Sequence, residues 1–206
     1  MLVTLNEIKT YLEIPLTDTS KDAKLEMLGT LATNLVETLC NRNFAVRKYK
    51  DVYNTENSSQ VFLRHYPISD ITSIVYLGTD LLLSDFVIDK DRGVLELIGF
   101  SAVDFNITPR RFTTFAKNTG ALEIIYTSGF DILPEGVKLV VLANIAKLHN
   151  SGKYAGISSL SIGDFKISTR ETLSTFEMAM LTPYIIREDN IDLGTSEDIT
   201  DEVIPS

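Results

Sequence analysis

The chain has 206 residues, 44% of them hydrophobic, enough apolar material for a core of its own, and its 11 glycines and 6 prolines are too few for a low-complexity protein. Its formal charge of −9 argues against a protein whose main task is gripping nucleic acid, because that task needs a basic surface to neutralise phosphates. No apolar run approaches the roughly 18–20 residues of a membrane span, and the single cysteine, Cys40, excludes an internal disulfide framework.

The opening Met1-Leu2-Val3-Thr4-Leu5-Asn6-Glu7 lacks a basic n-region and a long apolar h-region, so no secretory signal is expected and the protein should stay in the cytoplasm where it is made. Thr4 followed three residues later by Glu7 is a capping box, which predicts a short helix from Leu5 to Leu12. From Lys21 to Cys40, Leu25, Leu28, Leu31, Ala32, Leu35, Val36 and Leu39 recur at helical spacing. That helix should stop at Asn41-Arg42-Asn43, where asparagine tolerates left-handed geometry, with Phe44 folding back on the stripe.

Beyond Val46 the period changes. Short β-branched and aromatic runs at Val46–Tyr53, Gln60–Arg64, Ile71–Leu77, Asp85–Ile88, Val94–Ile98 and Ala121–Tyr126 predict an antiparallel sheet, with hairpins around Gly78-Thr79-Asp80 and Asp91-Arg92-Gly93. Pro134 then opens a helix, expected to His149, that is apolar on more than one face and therefore central. Asn150 to Ser168 should be a loop or short hairpin, and a last helix should run from about Glu171 to Leu181. From Arg187 to Ser206 there are seven acids and one base, which leaves the rest of the chain near −3 and predicts a tail without regular structure.

Nothing in these elements carries chemistry. His65 and His149 have no second ligand at metal spacing, and no phosphate-cradling Gly-x-x-x-x-Gly-Lys loop or Gly-x-Ser-x-Gly elbow occurs, so no catalytic, cofactor or metal site is expected. Cys40 falls at an apolar helix position, where a thiol acts as a small hydrophobe. The candidates are contact surfaces. Arg42, Arg47, Lys48 and Lys50, interleaved with Phe44, Tyr49 and Tyr53, form either a nucleic-acid contact or a solvated strand face. Arg110 and Arg111 read the same way, or as the positive partner for a neighbouring subunit's acids. Ile157, Leu160, Ile162 and Phe165 in a Gly/Ser-rich loop suit an interface, or a hairpin packed on its own body.

The order of Leu5-Asn6-Glu7-Ile8-Lys9-Thr10-Tyr11-Leu12, the long helix closing on Asn41-Arg42-Asn43-Phe44, the Tyr66-Pro67-Ile68 strand entry, and Tyr126-Thr127-Ser128-Gly129-Phe130 leading to Pro134 resembles the tailed-phage head–tail connector family, also called adaptor or head-completion proteins, over about residues 2–165. The resemblance implies an α+β fold: a small helical bundle (1–45 and 131–186), an inserted antiparallel β-rich subdomain (46–130) and an extended acidic C-terminal tail (187–206). It implies a structural virion protein without catalytic site or cofactor, assembled as a ring, commonly of twelve copies, beneath the portal. The implied partners are the portal protein, a downstream neck or tail protein, further copies of the chain, and passing genomic DNA that is not specifically bound. It also implies that the tail reaches the portal, with Ile191, Leu193, Ile199, Val203 and Ile204 as apolar anchors; a solvated tail is the alternative. A head-closure or tail-terminator protein, mostly β, is disfavoured by the two long helices, and a cytosolic ligand-binding domain by the absence of convergent polar groups.

Overall fold

The structure, a computed structural model, describes residues 1–103, 109–154, 173–186 and 195–200, and among these the side chains outside 100–112 and 151–154. The fold is mixed α+β and divides into two compact units: Met1–Phe44 with Ile132–Arg187, and Ala45–Asp131 with Glu188–Ser206.

The first unit is helical. Helix α1 (Leu5–Tyr11) starts at the predicted capping box: the Glu7 amide donates to Thr4 Oγ1 at 3.3 Å and the Thr4 amide donates to the Glu7 carboxylate at 2.7 Å. Helix α2 (Asp22–Cys40) buries Leu25, Leu28, Ala32, Val36 and Cys40 along one stripe. Leu31, expected on that stripe, is 51% exposed, because it lies about 120° from the stripe's centre on a helical wheel. The helix ends where Asn41 turns left-handed at φ 49°, and Phe44 folds back to full burial, edge-on to Tyr184 with centroids 6.0 Å apart. Helix α3 (Glu135–Tyr154) packs on α1, α2 and helix α4 (Thr175–Leu181), which is why Val137, Val140, Val141 and Ile145 are all buried. It runs five residues past the expected end at His149, and α4 starts later than Glu171 because Ser174 caps it.

Ion pairs tie these helices at their seams. Lys9, only 2% exposed, places Nζ 2.6 Å from Asp22 Oδ1. Lys138 lies 2.7 Å from Glu7, and Lys147 lies 2.6 Å from Glu177, which also accepts the Ser174 amide.

The second unit is β. Strands β1 (Arg47–Thr55), β2 (Gln60–Phe62), β3 (Ile68–Tyr76), β4 (Thr79–Asp80), β5 (Phe86–Asp89), β6 (Val94–Leu97), β7 (Phe100–Val103), β8 (Pro109–Phe112), β9 (Asn118–Ser128) and β10 (Thr195–Asp198) form three antiparallel sheets. Their orders are β10-β1-β9-β3-β4, β2-β6-β5 and β7-β8. The hairpin expected at Asp91-Arg92-Gly93 forms as β5–β6, with Gly93 at φ +66°. At Gly78-Thr79-Asp80 the turn falls on Leu77 and Gly78, Thr79–Asp80 is itself the return strand β4, and the expected partner run Asp85–Ile88 lies in another sheet, because β5 pairs with β6. The ribbon β7–β8 and strand β10 go beyond what the sequence pattern predicts; the tail's composition predicts no regular structure, yet Thr195–Asp198 pairs with β1.

The central strand β9 joins two of the marked motifs. Ser128 sits opposite Ile68 and also opposite Arg47, and the Gly129 amide donates to Pro67 O at 3.0 Å. Gly129 is obligatory there. Its φ is +130°, and a Cβ would stand 2.6 Å from Ala45 O and from Val46 Cα.

Two measurements follow from this packing. Gly129→Ala should lower stability by about 2–4 kcal/mol, since both the backbone conformation and the space forbid a side chain, read as a drop in denaturant midpoint at unchanged slope. The Glu7 carboxyl is held down at about 2 from an ordinary 4.5, chiefly by the hydrogen bond from Lys138 and then by the Thr4 amide. Its contribution is complete above pH 4.5 and is lost as pH falls toward 2, so Glu7→Gln should flatten the acid limb of the stability curve in that window and leave its shape near neutrality unchanged.

Candidate assembly surfaces

Strand β10 covers the outer edge of β1. Tyr49 pairs with Asp198, Lys50 with Glu197, Asp51 with Ser196 and Val52 with Thr195. All four β10 residues are exposed, so the strand is held by its backbone and by contacts at its ends rather than by an apolar face. Arg47 donates to Asp198 at 2.6 Å, the Ile199 amide donates to Lys48 O at 2.9 Å, and the Lys48 amide donates to Thr200 Oγ1 at 3.0 Å. His65, stacked on Tyr49 with centroids 3.7 Å apart, brings Nε2 to 3.1 Å from Ser196 Oγ. Burial works against the Asp198 carboxylate, but hydrogen bonds from Thr200 and Arg47 outweigh it and hold the carboxyl below its usual range.

Beneath this edge lies a buried carboxylate. Asp51 is 0% exposed, and its Oδ2 accepts the hydroxyls of Tyr53 and Tyr126, each at 2.6 Å. Those hydroxyls in turn accept the backbone amides of Arg64 and His65, both at 3.2 Å. Burial, reinforced by the Asp51 charge, pushes both phenols far above their ordinary range, so they stay protonated donors. The group is fully buried and structural.

The basic residues picked out from sequence fall in both units. Arg42 is 8% exposed in the helical unit, donating to Tyr184 O at 3.3 Å with its guanidinium 5.6 Å above the Phe44 ring. Within its own chain this cation is thus packed on an aromatic face and a carbonyl. In the β unit Arg47 is engaged by Asp198, Lys50 pairs with Glu123 at 3.1 Å, and Lys48 is half-buried. Arg110 and Arg111 lie on β8. Ile199 is 2% exposed, packed within its own chain, because β10 carries it past the strand's end into the β unit; as placed here it is no free anchor. Ile191, Leu193, Val203 and Ile204, and the loop residues Ile157, Leu160, Ile162 and Phe165, lie outside the described residues.

Burial pushes the Cys40 thiol up to about 11, which keeps it inert at neutral pH. Among the described residues no three potential metal ligands converge, and no helix is long and apolar enough to cross a membrane. Sequence reasoning missed the Asp51 network and β10. Asp51 alternates with Tyr49 and Tyr53 on the inward face of β1, and that phase alone marks it as buried; β10 has no such alternation.

Asp51→Ala should leave two buried hydroxyl donors without an acceptor and cost about 3 kcal/mol, whereas Asp51→Asn, which keeps an oxygen in place, should cost clearly less; equilibrium denaturation of the pair measures the difference.

Comparison with known proteins agrees with a structural role. The family model described as "Head completion protein" matches residues 1–145. A chain in the structure titled "Neck of empty GTA particle computed with C6 symmetry" superposes with a TM-score of 0.54 at 15% identity, covering 93% of this chain and 94% of that one. A chain in "Virion of native gene transfer agent (GTA) particle" superposes with a TM-score of 0.56 at 16% identity, covering 92% of each. No curated protein matches. Because that family model spans more than half of its length, the chain belongs to the head completion protein family and is a structural virion component rather than an enzyme.

Proposed function

We propose that this protein forms a ring, of twelve copies, in the neck beneath the portal, where it joins the head to the tail and extends the channel through which DNA passes. Family membership over residues 1–145 carries the reading, and the neck particle among the similar folds supports it. On this reading the partners are the portal protein above, a neck or tail protein below, and neighbouring copies at the sides. The charge of −9 suits a channel that lets DNA move without gripping it, because a net negative wall displaces few counterions from the DNA. Lys48, Lys50, Arg110 and Arg111 are then contacts between copies or with passing DNA, and 157–165 is an interface loop.

The acidic tail, 187–206, is the arm toward the portal, with Ile191, Leu193, Val203 and Ile204 as its anchors. Ile199 joins them only after β10 leaves β1, so portal capture and release of β10 are coupled in this scheme.

Co-expression with the portal protein of the same genome tests the assignment. The full chain should co-purify as a ring-sized complex, and a chain ending at residue 186 should not. Capture of both forms would remove the arm's role, and capture of neither would overturn the portal contact.

A further inference from the structure

The outward face of the sheet β2-β6-β5 is a built surface. Register places Gln60 and Val87 opposite Glu96, and Phe62 and Asp89 opposite Val94, so these six side chains share one side. The other side, with Val61, Phe86 and Leu95, is core. On the outer side Phe62 is 52% and Val87 56% exposed, and the six residues with Arg92 line a shallow depression of about 310 Å³. Asp89 is loosely paired with Arg92 at 3.9 Å. Glu96, on the middle strand and flanked by Val87, has no cationic partner among the described residues. Its direct cross-strand neighbours are Gln60 and Val87, and Phe62 lies on the diagonal, so the carboxylate has an aromatic ring within reach on the same face, a pairing that fits a guanidinium bonding the carboxylate through its edge and packing its flat face on the ring.

The chain itself carries the complementary piece. Arg110-Arg111 is the one place in the sequence where two arginines adjoin, and neither β7 (Phe-Ser-Ala-Val) nor β8 (Pro-Arg-Arg-Phe) contains an acid. Among the described residues β7 and β8 pair only with each other. A two-stranded ribbon is marginal in water unless something packs on it.

We infer that the face bearing Phe62, Val87 and Glu96 receives the β7–β8 ribbon of a second copy of this chain, through an arginine of β8. The inference rests on the ring reading. Two different patches that fit one another give a head-to-tail contact, the kind that closes into a ring rather than stopping at a dimer.

Charge exchange tests it by sedimentation velocity over a wide concentration range. Glu96→Arg alone and Arg110→Glu/Arg111→Glu alone should each weaken self-association by about tenfold or more, and an equimolar mixture of the two should restore it, because alternating copies then present matched patches. Recovery in the mixture also shows that neither variant has merely unfolded. A wild-type protein that associates, with single variants equal to it, overturns the inference and leaves the ring standing. Loss in the single variants without recovery in the mixture overturns the pairing and directs this face to another neck protein. A wild-type chain that stays monomeric at all concentrations counts against the homo-oligomer reading and the inference alike.

Discussion

The β unit depends on one buried charge. Asp51 takes two tyrosine hydroxyls from β1 and β9, and those hydroxyls take the amides of Arg64 and His65 in the segment joining β2 to β3. A single carboxylate thus binds two neighbouring strands of the large sheet to the connection that leads into the next one. Desolvating a carboxylate is costly and is recovered only if its donors are fixed in place, so the network admits few alternative strand positions. With β9 paired to β1 on one side and β3 on the other, fixing that spot fixes the register of the sheet's centre.

The helical unit uses a different device. Its apolar stripes choose which faces meet, and lysine–carboxylate pairs at the seams choose the alignment. Lys9 is the deepest of these, with its ammonium close to both Asp22 and the Leu16 carbonyl. The cation has little water around it, so sliding α1 against α2 would strand it. The aliphatic stem of such a lysine also adds to the packed surface.

Much of this fold is legible in the residues. The α2 stripe, its end at Asn41, the Thr4 box and the β5–β6 turn at Gly93 are local signals, and local signals survive without knowledge of partners. What the sequence does not reveal is set by distant residues. Arg42 looks like a surface cation until Tyr184, far along the chain, supplies a carbonyl and closes over Phe44. Strand β10 is four polar residues whose only reason to be extended is the vacant edge of β1. The ribbon β7–β8 is short and interrupted by two arginines, which hides its alternation. The candidate contact residues are less legible than the fold for the same reason: exposure and pairing are tertiary properties, and a basic residue on a strand reads alike whether a neighbouring strand, as at Arg47 and Asp198, or another chain engages it.

Strand β10 also has a place in time. Residues 195–198 are translated after every other strand of the sheet they join, so β1 shows its bare edge on the ribosome until nearly all of the chain described here has been made. A chain cut short before Thr195 keeps that edge and remains open to pairing with any extended peptide nearby. Until Thr195–Asp198 is in place, then, β1 is the part of the large sheet most open to mispairing, and its protection comes last in the folding of the strands that surround it.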